Sequence, residues 1–213
     1  MKLKGKILII TGLLFLLSVS GIFAQQAVIQ ELSGTVEIKS PGSDTWRAAR
    51  AGQNISADTI ISTGFRSTAV ISMGSSVLTV RPLTRLSLTE ISRMEGNEVI
   101  ELNMQTGRVR AEVRAPAGSK TGFSVQAPSS TASVRGTVFE FDTINLAVNE
   151  GTVVFSGKSN TSVFIDAGRI SSADENTGRV STPEEIGIWP ELPFAPSSRR
   201  TAASESVDIR VKY

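Results

Sequence analysis

The stretch that decides the fold runs from Phe123 to Phe155 and reads FSVQAPSSTASVRGTVFEFDTINLAVNEGTVVF. Apolar and polar residues alternate within it, and Pro128, Gly136 and Gly151 interrupt the alternation. A period of two is typical of β-strands that bury one face, and Pro and Gly mark the turns between them. The stretch therefore predicts consecutive short strands whose core-facing positions include Phe139, Phe141 and Phe155.

The same alternation extends over most of the chain. Many short strands at intervals of roughly ten residues predict an all-β sandwich or barrel rather than βαβ units. The predicted strands are 28–39 (around Gly34), a short strand at Trp46, 68–73, 77–81, 85–90, 99–104, 108–114, 123–126, 133–142, 146–150, 152–156 and 163–165.

The N-terminus has the pattern of a secretory signal peptide. Lys2, Lys4 and Lys6 precede an apolar run over residues 7–19, and small residues lead to Ala24. The run is short for a membrane span, which needs roughly 20 residues. We expect residues 1–24 to be a signal helix that is cleaved after Ala24, with an uncleaved anchor as the alternative.

Composition excludes several kinds of chemistry. The 213 residues are 40% hydrophobic and 20% charged, as in a globular domain, and contain no Cys and no His. Disulfides, thiol nucleophiles, imidazole bases and the usual nitrogen and sulfur metal ligands are therefore excluded. We expect no cofactor and no metal.

The net charge depends on the leader. Without residues 1–24, Lys+Arg falls from 22 to 19 against 20 Asp+Glu, and the formal charge falls from +2 to −1. A near-neutral protein without a basic run gives no reason to expect nucleic acid as a partner. No later segment has 18 consecutive apolar residues, so the mature chain is expected to be soluble.

The C-terminal region differs from the rest of the chain in composition. It is polar from Asp174 and contains four prolines, so we expect a domain over residues 28–168 and a weakly structured tail over 169–213. Thr182 and Pro183 predict a short helix that ends by Pro190.

Two features of this tail leave alternatives open. Trp189 and Phe194 either pin the tail to the domain or form a peptide that a partner binds. Residues 206–213, SVDIRVKY, alternate cleanly and are suited to form an edge strand in their own sheet or in a partner's sheet.

The motif Val134–Phe139, followed by residues 148–153, resembles the signature of FecR-family domains. The resemblance covers residues 29–156 and implies a jelly-roll-like β-sandwich that works outside the bacterial cytoplasm. The family is best known from regulators that relay ferric-siderophore signals. Further matching positions, in order, are Gly34-Thr35-Val36, Trp46, Gly52, Asp58-Thr59-Ile60, Thr63, Ser67-Thr68-Ala69-Val70, Gly74-Ser75, Leu86, Leu88 and Gly107-Arg108-Val109.

The chain departs from the family pattern at two points. Ala57 stands where the family usually has a Gly before Asp58. The signalling members also carry a cytoplasmic helical domain that holds a sigma factor, followed by a transmembrane helix. Only six residues precede the apolar run here, too few to fold into such a domain, so we do not expect a complete transmembrane regulator.

The family motif residues are expected to be structural. Gly136 and Gly151 suit a positive φ or a bulge, where a side chain would clash. A guanidinium can bind carboxylate or phosphate, so an anion-binding role is the alternative for Arg135. The set comprises Arg135, Gly136, Thr137, Glu150 and Gly151.

The acidic residues near this motif have a structural and a catalytic interpretation. Glu140, Asp142 and Glu150 are expected ion-pair partners of Arg135. Glu140 and Asp142 also share a strand face, but glycosidases place two carboxylates across a cleft, so we expect no enzymatic activity from this pair.

Alternation places Arg108, Arg110 and Arg114 on the outer face of one predicted strand, and Lys120 in the next loop extends the row. Such a row either protects a solvated sheet edge from aggregation or binds an acidic partner. These four residues are the candidate binding site.

Two functions of different classes remain. The favoured one is an exported, non-enzymatic interaction module, periplasmic or otherwise extracytoplasmic, that binds an envelope protein or an anionic envelope polymer. The alternative is a secreted jelly-roll protein that binds or modifies carbohydrate. It requires an exposed patch with at least two of Trp46, Phe65 and Trp189, and aromatic residues are only 6% of the chain.

Overall fold

The computed structural model describes residues 27–94, 97–159 and 161–185, and every regular element in these ranges is a β-strand. None of this described part forms a helix long and apolar enough to cross a membrane. The strands are β1 (Ala27–Ser33), β2 (Val36–Lys39), β3 (Arg47–Ala48), β4 (Asn54–Ile55), β5 (Ile60–Thr63), β6 (Thr68–Met73), β7 (Ser76–Val80), β8 (Arg85–Met94), β9 (Asn97–Thr106), β10 (Arg108–Glu112), β11 (Thr121–Gln126), β12 (Ser130–Val134), β13 (Val138–Asp142), β14 (Asn145–Glu150), β15 (Thr152–Gly157), β16 (Ser162–Asp166), β17 (Arg169–Ser172) and β18 (Glu184–Glu185).

The strands form two nine-stranded sheets. Sheet A has the order β18-β17-β14-β13-β10-β7-β6-β1-β4, and sheet B has the order β16-β15-β12-β11-β9-β8-β5-β2-β3. The predicted all-β fold is confirmed. The expectation of antiparallel strands holds except for β9 and β11, which pair in parallel because the chain crosses to sheet A as β10 between them.

The core lies between the two sheets. Phe123 of sheet B meets Phe139 of sheet A edge-to-face at 6.2 Å, and Phe141 of sheet A meets Phe155 of sheet B at 6.0 Å. All four rings are almost completely buried. The core positions predicted for Phe139, Phe141 and Phe155 are confirmed. The alternation of side chains along each strand explains why these rings lie on the inner face.

The chain crosses between the sheets at two opposite ends of the sandwich. At one end, which we call the clamped end, hydroxyl groups of Thr63, Ser67 and Thr84 join the crossings. Thr63 Oγ1–H donates to Arg81 O at 2.6 Å, and Thr84 N–H donates to Thr63 Oγ1 at 3.0 Å. Ser67 Oγ accepts from Thr35 N–H at 2.8 Å. These hydrogen bonds satisfy backbone groups that the crossings remove from the sheets.

The predicted strand over residues 133–142 is corrected to two strands in different sheets. Gly136 has φ +104° and turns the chain from β12 in sheet B to β13 in sheet A. The buried positions change phase across this turn, from Ala132 and Val134 to Phe139 and Phe141, and one unbroken strand could not place them all on one face. Gly151, with φ +78°, makes the next crossing, from β14 to β15.

Strand pairing continues past residue 168, where we placed the start of the tail. β17 pairs with β14, and β18 pairs with β17 through Arg169 and Ile170. The prediction of a helix that begins at Pro183 is wrong for the described residues. Glu184–Glu185 is an extended strand that pairs with β17. Several predicted features lie outside the described residues. They are the leader and the residues beyond Glu185, which include Trp189, Phe194 and the closing segment 206–213.

A tight turn follows β17. Thr177 donates its backbone N–H and its hydroxyl to Asp174 Oδ1, at 2.7 and 3.0 Å. These bonds favour the charged carboxylate and hold the pKa of Asp174 below its ordinary value. Ala173 beside it is buried and bridges to Val180, so this turn closes the sheet beyond β17.

Candidate functional site

The predicted arginine row lies on β10, which is an interior strand of sheet A. β10 pairs with β7 on one side and with β13 on the other. The interpretation of the row as a protected sheet edge is therefore wrong. The row follows β10 from the clamped end, at Arg108, to the opposite end, beyond Glu112.

The first two arginines of the row pair with acidic residues of the neighbouring strand. Arg108 Nη2 lies 2.8 Å from Asp142 Oδ2, with both side chains more than four-fifths buried. Arg110 Nη1 lies 3.6 Å from Glu140 Oε1, which also contacts Arg81 at 3.1 Å. This part of the row is neutralised within the sheet.

Arg114 lies in a different environment. It follows β10, its side chain is 74% exposed, and its Nη2 lies 3.8 Å from Glu112 Oε2. Its backbone is fixed, because the hydroxyls of Ser75 and Thr121 donate to its carbonyl. Arg114 therefore presents an exposed cation from a firmly held segment.

Lys120 ends the loop that carries the chain from β10 to β11. Its N–H donates to Asn97 Oδ1 at 3.1 Å, and its carbonyl accepts from Glu98 N–H at 2.9 Å. Lys120 is exposed. Thr121 follows Lys120 and its hydroxyl contacts the Arg114 carbonyl, so the two ends of the loop lie next to each other.

A buried carboxylate, which sequence reasoning missed, anchors this loop. Glu98 is 1% exposed and lies 3.0 Å from Ser75 Oγ and 3.4 Å from Thr121 Oγ1, and each of these hydroxyls shares its one proton between the carboxylate and the Arg114 carbonyl. Arg93 Nη2 lies 3.2 Å from the other carboxylate oxygen of Glu98. Glu98 lies on the same strand face as Ile100, Leu102 and Met104, so alternation along β9 places it inward, but the predicted strand began at Val99 and left it out.

The family motif lies at the same end. Val113 N–H donates to Thr137 O at 2.8 Å, which places the β12–β13 crossing next to the end of β10. Arg135 is exposed and forms no ion pair with any described residue. Its predicted pairing with Glu140, Asp142 or Glu150 is corrected: Glu140 and Asp142 pair with Arg110 and Arg108, and no ion pair joins Arg135 to Glu150.

The two motif glycines pack on each other. A Cβ on Gly151 would lie 2.7 Å from Thr137 Cγ2 and 2.8 Å from Gly136 O. Only glycine allows this approach, and the positive φ of both residues requires glycine as well. Glu150 is exposed beside Gly151.

We call this second end the basic end and define it by Arg114, Lys120 and Arg135. The row and the motif, which are separate in the sequence, meet there through the Val113–Thr137 and Arg114–Thr121 hydrogen bonds. The backbone beneath these cations is held by Glu98, Gly136 and Gly151. The arrangement offers three exposed positive charges on a rigid surface.

The catalytic and carbohydrate interpretations gain no support from the geometry. Glu140 and Asp142 are engaged by arginines, and the described residues contain no cluster of acidic side chains that could hold a metal. Trp46 is half-buried, with the Arg85 guanidinium 5.4 Å from its ring centre. Phe65 is 63% exposed at the clamped end, beside the guanidinium of Arg66.

The FecR protein family model matches residues 59–154. This range contains β5 to β14, the arginine row and the motif at Gly136 and Gly151. The chain therefore contains a FecR-family domain at residues 59–154. The resembling positions in residues 29–58 precede the matched range.

Solved structures add a more distant similarity. Two crystal structures of a "putative anti-sigma factor" from Parabacteroides distasonis ATCC 8503 each share 13% sequence identity with this chain at a TM-score of 0.48. Each alignment covers 59% of this chain and 59% of the solved chain. No curated protein matches the sequence significantly.

Proposed function

We propose that the protein is an exported, non-enzymatic interaction module of the bacterial cell envelope that binds an acidic protein surface or an anionic polymer through the basic end. One observation carries this proposal: Arg108 and Arg110 are neutralised by their own sheet, whereas Arg114, Lys120 and Arg135 remain exposed together. Guanidinium groups suit this role because they bind carboxylate and phosphate with two parallel hydrogen bonds.

The rigid backbone supports the same proposal. Glu98 fixes the Arg114 and Thr121 segments, and the packed glycines fix the segment that carries Arg135. A surface that does not reorganise on binding loses less conformational entropy. Export follows from the leader pattern, and the FecR-family domain agrees with a location outside the cytoplasm.

The test is a crosslinking pull-down with residues 25–213 in envelope extract from the organism that makes the protein. The variant reverses the basic end: Arg114→Glu, Lys120→Glu and Arg135→Glu. The control reverses three other exposed cations for which the described residues offer no ion pair: Arg47→Glu, Arg50→Glu and Arg179→Glu. Both variants change the net charge equally, so only position differs.

We expect the wild type and the control to capture the same partner, with binding that weakens as salt rises. The basic-end variant should lose capture at least about tenfold and keep its thermal unfolding midpoint, since exposed charges contribute little to stability. Equal capture by both variants would contradict the proposal. Equal loss in both variants would show an effect of net charge alone.

A further inference from the structure

The four edges of the two sheets are protected unequally. Within the described residues, three edges end in the strands β3, β4 and β18, each two residues long. Short edge strands are a common protection against unwanted pairing. The fourth edge is β16, Ser162–Asp166, which is five residues long and pairs with β15.

The hydrogen-bond register shows which groups of β16 face away from β15. Gly157 N–H donates to Thr161 O at 2.9 Å, and Ala167 N–H donates to Gly151 O at 2.9 Å. In an antiparallel pair, bonded positions alternate with non-bonded ones, so Val163 and Ile165 bond to β15. The N–H groups of Ser162, Phe164 and Asp166 therefore point outward along the free side of the strand.

β16 carries apolar side chains on both faces, with Ser162 and Asp166 beside Phe164 on the outer face. Ile165 is buried, Val163 packs against the core, and Phe164 on the outer face is 71% exposed. Phe164 is the most exposed large hydrophobic residue of the described part. An extended edge with outward N–H groups and an exposed ring is suited to bind another strand.

We propose that residues 206–213 of the same chain dock along β16 as an additional strand of sheet B. In this segment Val207, Ile209 and Val211 alternate with Asp208, Arg210 and Lys212. Alternate residues of adjacent strands share a face, so the three apolar side chains would extend the row of Val163 and Ile165 over the core. The charged residues would then lie on the face of Phe164 and Asp166, where a guanidinium can stack on the ring and a cation can pair with the carboxylate.

The chain length permits this docking. β18 ends at Glu185 in sheet A, and β17 beside it is joined to β16 by the short crossing at Ala167 and Gly168. The 20 residues 186–205 span up to about 66 Å when extended. The two sheets of a sandwich lie about 10 Å apart, so the segment can reach β16 without strain.

The test is amide hydrogen exchange of residues 25–213 compared with a chain that ends at Glu205. In the longer chain, the amides of Ser162, Phe164 and Asp166 should exchange at least about tenfold more slowly than in the shorter chain. The amides of Val163 and Ile165, which bond to β15, serve as the internal control and should be protected in both. Selective protection of alternate amides is a signature that general stabilisation would not produce.

Two full-length variants test the face assignment. Ile209→Asp should remove the added protection, because it places a charge over the core. Asp208→Ala, on the opposite face, should retain it. Equal exchange of the three outward amides in both chain lengths would overturn the proposal. Protection that rises with protein concentration together with a dimer mass would also overturn it, because the occupant would then belong to a second copy. This inference is independent of the proposed function, since it makes no use of the basic end.

Discussion

The two ends of the sandwich differ in how they satisfy their polar groups. At the clamped end, Thr63, Ser67 and Thr84 donate to or accept from backbone atoms of neighbouring crossings. At the basic end, Thr137 is 3% exposed and its hydroxyl has no hydrogen-bond partner among the described residues. Buried hydroxyls are usually hydrogen-bonded, so Thr137 is an exception, and it lies at the same end as the bonded hydroxyls of Ser75 and Thr121.

The two ends also differ in whether their charged side chains are paired and buried or exposed. β10 begins at the clamped end with Arg108, which is paired and largely buried, and leads to Arg114, which is exposed. Stability is therefore expected to depend on side chains at the clamped end. Binding is expected to use the side chains of the basic end, which the fold itself does not need.

The largest expected effect comes from a pair of glycine substitutions, one at each end. Gly107 has φ +98° and Gly136 has φ +104°, so alanine meets similar backbone strain of about 1–2 kcal/mol at both. A Cβ on Gly107 would overlap the Cα and Oγ1 of Thr84, whereas a Cβ on Gly136 has nothing within 4 Å. Because overpacking costs about 1–3 kcal/mol more, Gly107→Ala should destabilise the protein by about 2–5 kcal/mol.

Urea unfolding of Gly107→Ala and Gly136→Ala measures this difference directly. The Gly136→Ala loss should stay near about 1–2 kcal/mol, and its folding should remain cooperative. If the two losses are equal, close approach at the clamped end does not contribute, and strain alone explains both glycines.

A smaller effect is expected from removing one hydroxyl at each end. Thr63→Val deletes the acceptor for Thr84 N–H and the donor for Arg81 O, so it should cost about 2–3 kcal/mol. Thr137→Val deletes a buried hydroxyl that has no partner in the described part of the chain, so it should be neutral or slightly stabilising. Thermal unfolding of both valine variants against wild type distinguishes these outcomes. A clear loss in Thr137→Val would show that this hydroxyl does form a hydrogen bond in solution.

Sequence reasoning succeeded where the determining pattern is local. The alternation over Thr68–Met73 predicted β6 with its observed bounds, and it placed Phe139, Phe141 and Phe155 in the core. Each of these predictions needs only the period of two, which follows from strand geometry. The same pattern also marks the crossing at Gly136, where the apolar positions change from Ala132 and Val134 to Phe139 and Phe141, and the prediction of one strand over 133–142 overlooked this change.

The rest of the site depends on pairing between distant segments. Arg114 and Lys120 were recognised as cations, but their meeting with Arg135 depends on the Val113–Thr137 bond between two strands. The hydrogen bond that satisfies the Glu98 carboxylate likewise comes from Ser75, 23 residues earlier. Alternation specifies which face a residue occupies and not which strand lies beside it, so the composition of the basic end could not be predicted.

The charge row gives the smallest of the three effects and tests the comparison within a single strand. Arg108→Ala leaves Asp142 without its guanidinium partner, and about 1–2 kcal/mol of stability should be lost because the pair is mostly buried. Arg114→Ala should change stability by less than about 0.5 kcal/mol, since its side chain is 74% exposed. A double-mutant cycle of Arg108→Ala with Asp142→Asn should give a coupling energy above about 0.5 kcal/mol. Equal losses in the two single arginine variants would mean that the row is uniform, and the distinction between a stabilising part and a binding part of β10 would then fail.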